Sequence, residues 1–317
     1  NITLTGDATV VASYIYTLTL TTNGSGGTIT TPTDPSVTAE YDVPVSLIAE
    51  PATGYTFTHW TIVRGTAYVG NLENPTTTVR LQDNAEVRAN FTNSVYTLTV
   101  TATDHGTIRE PSPATFTTTF GTVVLARAEA DYGSYFVNWI VLEGNPEISN
   151  PFDATTNIRV TGNATVQAVF EINSYIVNVT SAGNGTVSPA TLSGVHGTGG
   201  MQIQAAADDG YHFVEWDVNG SFVISSTTEN PATVTLTGDG NIQAIFAIDT
   251  YTVYVNPGEH GTIAEPLSRV LSGERNSTAT IQATADDGYK FAGWVVDGTI
   301  GISSISIHIC APGAGVG

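Results

Sequence analysis

A repeated aromatic motif constrains this chain more than any other feature of its sequence. The four tryptophans, Trp60, Trp139, Trp216 and Trp294, are spaced 79, 77 and 78 residues apart. Each closes a Gly-Tyr-x-Phe-x-x-Trp pattern, and the second copy departs from it only by having Ser134 in the tyrosine position. A fixed period of this length indicates tandem structural units. The sequence therefore predicts four repeats of about 78 residues each.

Alternating strands surround the motif in every repeat. Each unit opens with a segment such as Tyr-Thr-Leu-Thr-Val at residues 96–100, in which apolar and polar residues alternate. Period-two alternation predicts half-buried strands, and no segment shows the sustained 3.6-residue period of a helix. We expect an all-β chain, a tandem array of small modules that are β-grasp-like or sandwich-like, with about six short strands in each.

The motif aromatics are the candidate core of each module, although they could be mistaken for a carbohydrate-binding platform. In a regular strand the phenylalanine and the tryptophan, three residues apart, would face opposite sides unless a bulge intervened. We expect them to pack inside the repeat because large aromatic side chains dominate small cores. The predicted core residues are Trp60, Trp139, Trp216, Phe57, Phe136 and Phe213.

Composition excludes several classes of function. The chain has 9 Lys and Arg against 29 Asp and Glu, a net charge of −20, which argues against nucleic-acid binding through a basic surface. No apolar run is long enough to span a membrane. The six histidines lack metal-ligand spacing, and no nucleophile–histidine–acid arrangement or phosphate-binding loop occurs. We therefore expect neither an enzyme nor a bound metal or cofactor.

The motif, the Asn-Pro that follows it in three repeats and the closing strand that ends in Ala-x-Phe together resemble the divergent internalin-B-type B repeats of bacterial surface and secreted proteins. The resemblance covers nearly the whole chain. It implies a small β-rich domain, exposure outside the cell and a structural or adhesive role, and it brings no catalytic residues.

The repeat register at the two ends of the sequence suggests how copies could associate. Residues 2–14 align with residues 234–246, the closing hairpin of the third unit, and no such hairpin follows Trp294. The expected divisions are residues 1–14 as a donor hairpin and repeats at 15–94, 95–173, 174–249 and 250–317, the last lacking its closing hairpin. The proposed donor residues are Ile2, Leu4, Val10, Ala12 and Tyr14; the proposed acceptor residues are Tyr251, Val253, Ile281, Tyr289, Phe291 and Trp294.

Two functional hypotheses follow from this register. In the first, the chain is the subunit of a secreted extracellular filament that polymerises head to tail, each N-terminal segment completing the fourth repeat of its neighbour. In the second, it is a rigid stalk or spacer fragment of a multi-repeat surface adhesin. The partner is the chain itself, with cell-surface or matrix glycans as further candidates. Candidate glycosylation sequons are at Asn23, Asn90, Asn163, Asn184 and Asn276.

Overall fold

The fold is a tandem array of β modules, as the sequence predicts. The computed structural model describes residues 2–3 and 5–301, and over that range it contains no helix. Strands account for 58% of the described residues. The contacts between residues divide the chain into two compact units, and the boundary in the sequence falls between Asn173 and Ser174. Repeats 1 and 2 belong to the first unit, and repeats 3 and 4 belong to the second.

The first repeat is built from eight strands in two four-stranded sheets. One sheet has the order β3-β1-β8-β5, and the other has the order β2-β4-β7-β6. Strands β1 and β8 run parallel, whereas the other pairs are antiparallel. The strands are β1 (Ile15–Thr22), β2 (Gly27–Thr31), β3 (Ser36–Glu40), β4 (Pro44–Pro51), β5 (Tyr55–Arg64), β6 (Ala67–Val69), β7 (Thr76–Leu81) and β8 (Ala85–Asn93).

Repeats 2 and 3 have the same topology as repeat 1. In repeat 2 the strands are β9 (Val95–Ala102), β10 (Gly106–Glu110), β11 (Thr115–Thr119), β12 (Val123–Ala130), β13 (Ser134–Glu143), β14 (Glu147–Ile148), β15 (Thr155–Arg159) and β16 (Ala164–Ile172). In repeat 3 they are β17 (Ser174–Ser181), β18 (Gly185–Ser188), β19 (Thr191–Val195), β20 (Met201–Ala207), β21 (Tyr211–Gly220), β22 (Val223–Ile224), β23 (Ala232–Thr235) and β24 (Gly240–Ile248). The common topology explains why the sequence period is regular.

The number of strands exceeds the expected six because each complete repeat has two short edge strands that the sequence pattern did not reveal. These are the strands of the β3 and β6 type, five and three residues long in repeat 1. The two sheets of a repeat pack face to face around one core, which makes the module a sandwich. In repeat 1 the buried cluster draws on both sheets, with Leu18 and Val87 on one and Leu47 and Val79 on the other.

A bulge brings the motif phenylalanine and tryptophan to the same side of their strand. In β5 the pairing register with β8 shifts between Phe57 and His59, so Trp60 joins Phe57 in the core. Their ring centroids lie 5.6 Å apart, and Phe57 meets Phe91 edge-on at 5.9 Å. The same shift occurs in β13 and β21. The predicted aromatic core is therefore present in the first three repeats.

Each of the three buried tryptophans also anchors a loop of the opposite sheet, the one that joins β6 to β7 in repeat 1. The amide N–H of Trp60 donates to the carbonyl of Leu72 at 2.7 Å, and its indole N–H donates to the carbonyl of Asn74 at 3.0 Å. Trp216 makes the equivalent pair of bonds to Thr227 and Glu229. Trp139 bonds in the same way to Pro151 and Asp153. The loop lies beside the edge strand that carries the tryptophan, which is β5 in repeat 1. Fewer backbone groups of that strand therefore remain unpaired.

The fourth repeat contains four strands within the described residues. They are β25 (Thr250–Tyr254), β26 (Gly261–Glu265), β27 (Val270–Glu274) and β28 (Gln282–Ala285). They form two two-stranded sheets, β25-β27 and β26-β28, which correspond to β17-β19 and β18-β20 of repeat 3. The opening half of the module is thus present up to residue 285.

We expect Trp216→Phe to destabilise repeat 3 by about 1–3 kcal/mol, because it removes a buried bicyclic ring and leaves the Glu229 carbonyl without its donor. Hydrogen exchange resolved along the chain measures this as lower protection of the amides in β21 and β24. Val223→Ala, at an exposed position of the same repeat, should change protection by less than about 0.5 kcal/mol. Equal effects of the two substitutions would contradict the anchoring role of Trp216.

Candidate assembly site

The predicted acceptor residues belong to the fourth repeat, in which the described residues form no closing strand. Phe291 and Trp294 keep the ring contact seen in the other repeats, at 5.2 Å between centroids. Trp294 is only half-buried, however, whereas the other three tryptophans are fully buried. Val253, Ile281 and Phe291 are likewise half-buried, and Tyr251 and Tyr289 are exposed. The apolar side chains of this repeat are therefore accessible to a partner.

The opening in repeat 4 corresponds to the position of one strand in repeat 3. There, β24 lies between β17 and β21, placing Gly240 beside Val177 and Ala244 beside Trp216. In repeat 4, β25 takes the place of β17, and among the described residues it pairs only with β27. Among the described residues, the other edge of β25 therefore has no strand partner, and an unpaired edge favours the addition of a strand.

The predicted donor residues lie in an extended segment outside any strand. Val10 is 70% exposed and Tyr14 is 64% exposed, and Ile2 and Ala12 are exposed as well. Leu4 lies outside the described residues. The residues of repeat 3 with which Val10 and Ala12 align, Ile242 and Ala244, are fully buried. The segment therefore exposes side chains whose counterparts are core residues.

Tyr14 is held against the first repeat by its backbone. Its carbonyl accepts a hydrogen bond from the amide of Tyr41 at 3.1 Å. The carbonyls of Ser94 and Asp249, which precede repeats 2 and 4, accept equivalent bonds from Phe120 and Arg275. Tyr14 thus occupies the position of a linker residue in this structure, rather than that of the core residue Phe246 with which the sequence aligns it.

Linker residues join consecutive repeats within each compact unit. Ser94 donates its N–H to the carbonyl of Gly54 in repeat 1 at 2.8 Å and accepts from Phe120 in repeat 2 at 3.2 Å. Gly54 has a φ of 82°, and a side-chain Cβ at that position would lie 2.5 Å from the Phe120 ring. The motif glycine is therefore required both for its backbone conformation and for contact with the next repeat.

The candidate sequons differ in how accessible the asparagine is. Asn90 is 8% exposed, and its amide nitrogen donates to the carbonyl of His59 and the hydroxyl of Thr61. Asn23 is bonded through both side-chain atoms to the backbone of Phe91. Asn163 is exposed, and its side-chain oxygen accepts from Thr97. Asn184 and Asn276 are exposed at turns with φ of 61° and 62°. The fold thus leaves no free amide nitrogen at Asn90 for a glycan.

Comparison with protein families agrees with this architecture. The profile of the divergent InlB B-repeat domain matches residues 16–95, 96–174, 175–250 and 251–308. The chain belongs to the divergent InlB B-repeat family. B repeats of this family are surface repeats of bacterial proteins and are typically non-enzymatic. No curated protein matches the chain.

Metal-binding clusters and membrane-spanning helices are absent from the described residues. Residues 2–3 and 5–301 contain no group of three or more His, Cys, Asp or Glu side chains arranged to hold a metal ion. In the same part of the chain, no helix is long and apolar enough to cross a membrane.

We expect acrylamide to quench the fluorescence of Trp294 readily in dilute solution, because only this tryptophan is partly open to solvent. Trp294→Phe should remove the readily quenched component from a Stern–Volmer plot. Trp60→Phe, at the equivalent position of the first repeat, should leave that component in place. Persistence of the component in Trp294→Phe would show that it arises from another tryptophan, and its absence from the unmodified chain would show that the fourth core is closed.

For expression in a host that glycosylates sequons, we expect modification at Asn184 and Asn276 and none at Asn90. The reason is that the Asn90 amide nitrogen is buried and bonded in the folded repeat. Glycopeptide mass spectrometry of the folded, secreted chain measures occupancy at each site. Substantial occupancy of Asn90 would mean that the glycan is added before repeat 1 folds.

Proposed function

We propose that this B-repeat protein is the structural subunit of an extracellular filament. Residues 1–14 of one copy add as strands to the fourth repeat of the next copy, so that the chain polymerises head to tail. Two complementary observations carry the proposal: an exposed segment has the sequence of a closing hairpin, and the described part of the fourth repeat has no strand where that hairpin would lie. The chain is secreted in this proposal, and its principal partner is itself.

The register of the proposed contact follows from repeat 3. Gly240 and Ile242 of β24 lie beside Val177 and Val179 of β17. By alignment, Ala8 and Val10 of the incoming segment would lie beside Val253 and Val255. Ala244 lies beside Trp216, so Ala12 would lie beside Trp294. In this register the apolar residues at positions 10 and 12 face the open core, and Thr9 faces outward.

A polar contact supports the same register. In the first three repeats, the turn before the last strand sends a side-chain oxygen to the amide of the opening strand: Asn84 to Thr17, Asn163 to Thr97 and Asp239 to Ile176, at 2.7–2.9 Å. Asp7 aligns with Asp239, and Thr252 follows the opening tyrosine of repeat 4 as Ile176 does in repeat 3. The Asp7 carboxylate would therefore accept from the amide of Thr252.

The proposed subunit junction differs from the junctions within the chain. One residue, Ile15, separates Tyr14 from the opening tyrosine of repeat 1, whereas four residues separate Phe91 from Tyr96. With Tyr14 in the position of a core aromatic, its bond to Tyr41 would have to break, and the two copies would lie closer together than neighbouring repeats do. Because donor and acceptor are different surfaces, the contact is heterologous and propagates into a filament unless it closes into a ring.

The alternative is a rigid stalk or spacer in a larger surface adhesin. The observation that favours it is the linker geometry within each compact unit, where a single residue such as Ser94 hydrogen-bonds to both neighbouring repeats. Such double bonding restricts motion between repeats, as a stalk requires. Cell-surface or matrix glycans are candidate partners in either case.

Negative-stain electron microscopy and sedimentation of three variants test the filament proposal against the unmodified chain. Deletion of residues 1–14 and Val10→Asp should both abolish filaments, the second because it places a charge against the apolar core. Thr9→Asp is the matched control, since the same charge one residue away faces solvent in the proposed register, and its filaments should persist.

Absence of filaments from the unmodified chain at all concentrations would overturn strand donation and leave the stalk. Filaments that survived deletion of residues 1–14 would show that the copies associate through another surface. Equal loss in Val10→Asp and Thr9→Asp would indicate a contact that depends on charge and not on inward-facing side chains.

A further inference from the structure

The junction between repeats 3 and 4 is held by charged side chains. Arg275 of repeat 4 forms a two-bonded contact with Asp209 of repeat 3, at 2.7 Å to one carboxylate oxygen and 2.6 Å to the other. The aliphatic part of Arg275 lies over Gly210, where a Cβ would clash with the Cδ of the arginine. Arginine suits this position because its planar guanidinium matches a carboxylate while its stem packs on the glycine.

The linker residue of this junction is charged as well. Asp249 donates its amide to the carbonyl of Gly210 and accepts from the amide of Arg275, both at 2.8 Å. One of its carboxylate oxygens lies 2.9 Å from Nδ1 of His212, and the other accepts from the hydroxyl of Tyr251 at 3.4 Å. The contacts between side chains across this junction are therefore polar ones that water and ions can compete for.

The junction between repeats 1 and 2 uses uncharged groups at the same positions. Phe120 takes the place of Arg275 and lies over Gly54, with its ring 6.4 Å from that of Tyr96. Ser94 takes the place of Asp249 and bonds through its hydroxyl to Thr56 at 2.8 Å. The backbone bonds are shared by the two junctions, so the difference lies in the side chains alone.

Both repeats at this junction carry a net negative charge, so the positive charge of Arg275 matters for holding them together. Repeat 3, residues 175–250, contains seven Asp and Glu residues and no Lys or Arg, whereas repeat 4, residues 251–308, contains six acidic and three basic residues. Both repeats are therefore negative and repel each other over distances set by the ionic strength. Arg275 supplies the cation that offsets this repulsion at the point of contact.

We propose that the junction between repeats 3 and 4 is an ionic joint that salt loosens, whereas the junction between repeats 1 and 2 is insensitive to salt. The Asp209 side chain is 89% exposed and that of Arg275 is 34% exposed, so mobile ions reach the pair and screen it. The hydrogen bonds from Arg275 hold the pKa of the Asp209 carboxyl below its usual value, so this group is ionised at neutral pH. The joint is a property of one chain and does not depend on filament assembly.

Pulsed electron paramagnetic resonance on the full chain, spin-labelled in pairs, tests this proposal. With Cys310→Ser as the background, Ser193→Cys and Ser272→Cys label matching strands of repeats 3 and 4. Thr38→Cys and Thr117→Cys label the same strands of repeats 1 and 2. Labelled chains are diluted with unlabelled chains so that only distances within one chain contribute. Raising NaCl from about 0.02 to about 0.5 M should broaden the first distance distribution roughly twofold and leave the second unchanged.

Three further variants separate the attraction between Arg275 and Asp209 from the repulsion between the two acidic repeats. Arg275→Gln should give a broad distribution at low salt that narrows as salt is added, because only repulsion between the acidic repeats remains. Arg275→Asp should broaden the distribution further, and the charge-swapped Asp209→Arg/Arg275→Asp chain should recover the narrow one.

Three results would each overturn the ionic joint. The first is a distance distribution across repeats 3 and 4 that does not change with salt. The second is an Arg275→Gln chain that behaves like the parent at every salt concentration. The third is equal broadening across the junction of repeats 1 and 2, which would show that salt acts on the chain as a whole.

Discussion

The tryptophan of each repeat is the interaction on which the rest of the module depends. Trp60, Trp139 and Trp216 fill the space between the two sheets, and each donates both its amide and its indole N–H to a loop that joins two strands of the opposite sheet. Each tryptophan therefore fills the core and also links the two sheets. A buried indole N–H requires an acceptor, and the loop carbonyl supplies it.

The same dependence explains why the fourth repeat is the candidate assembly site. Trp294 has its aromatic neighbour, Phe291, but the described residues place no strand beside β25 on the side where β24 lies in repeat 3. Exposed apolar groups and unpaired backbone groups then occur together, and a strand of the right pattern satisfies both. Residues 7–12 have that pattern, with apolar side chains at alternate positions and an acidic residue at the turn.

Much of this architecture could be predicted from the sequence, and the failures have physical causes. Alternation identified the long strands because one face of each is buried, as in β1 and β9. It missed β3 and β6, which lie at sheet edges and carry few buried residues. The linker bonds of Ser94 and the contact of Phe120 with Gly54 could not be predicted, because they join residues of different repeats whose separation in space the sequence period does not specify.

By itself the sequence determined the number of repeats, the all-β class and the identity of the core aromatics. These depend on local periodicity and on the burial of large apolar side chains, which can be recognised in a one-dimensional pattern. Tertiary structure alone decided that Phe57 and Trp60 share a face, that β1 runs parallel to β8, and that one junction is ionic while another is apolar. A register shift in strand pairing, and a contact between distant residues, exist only once the chain has folded, because both depend on which backbone groups meet across the sheets and between the repeats.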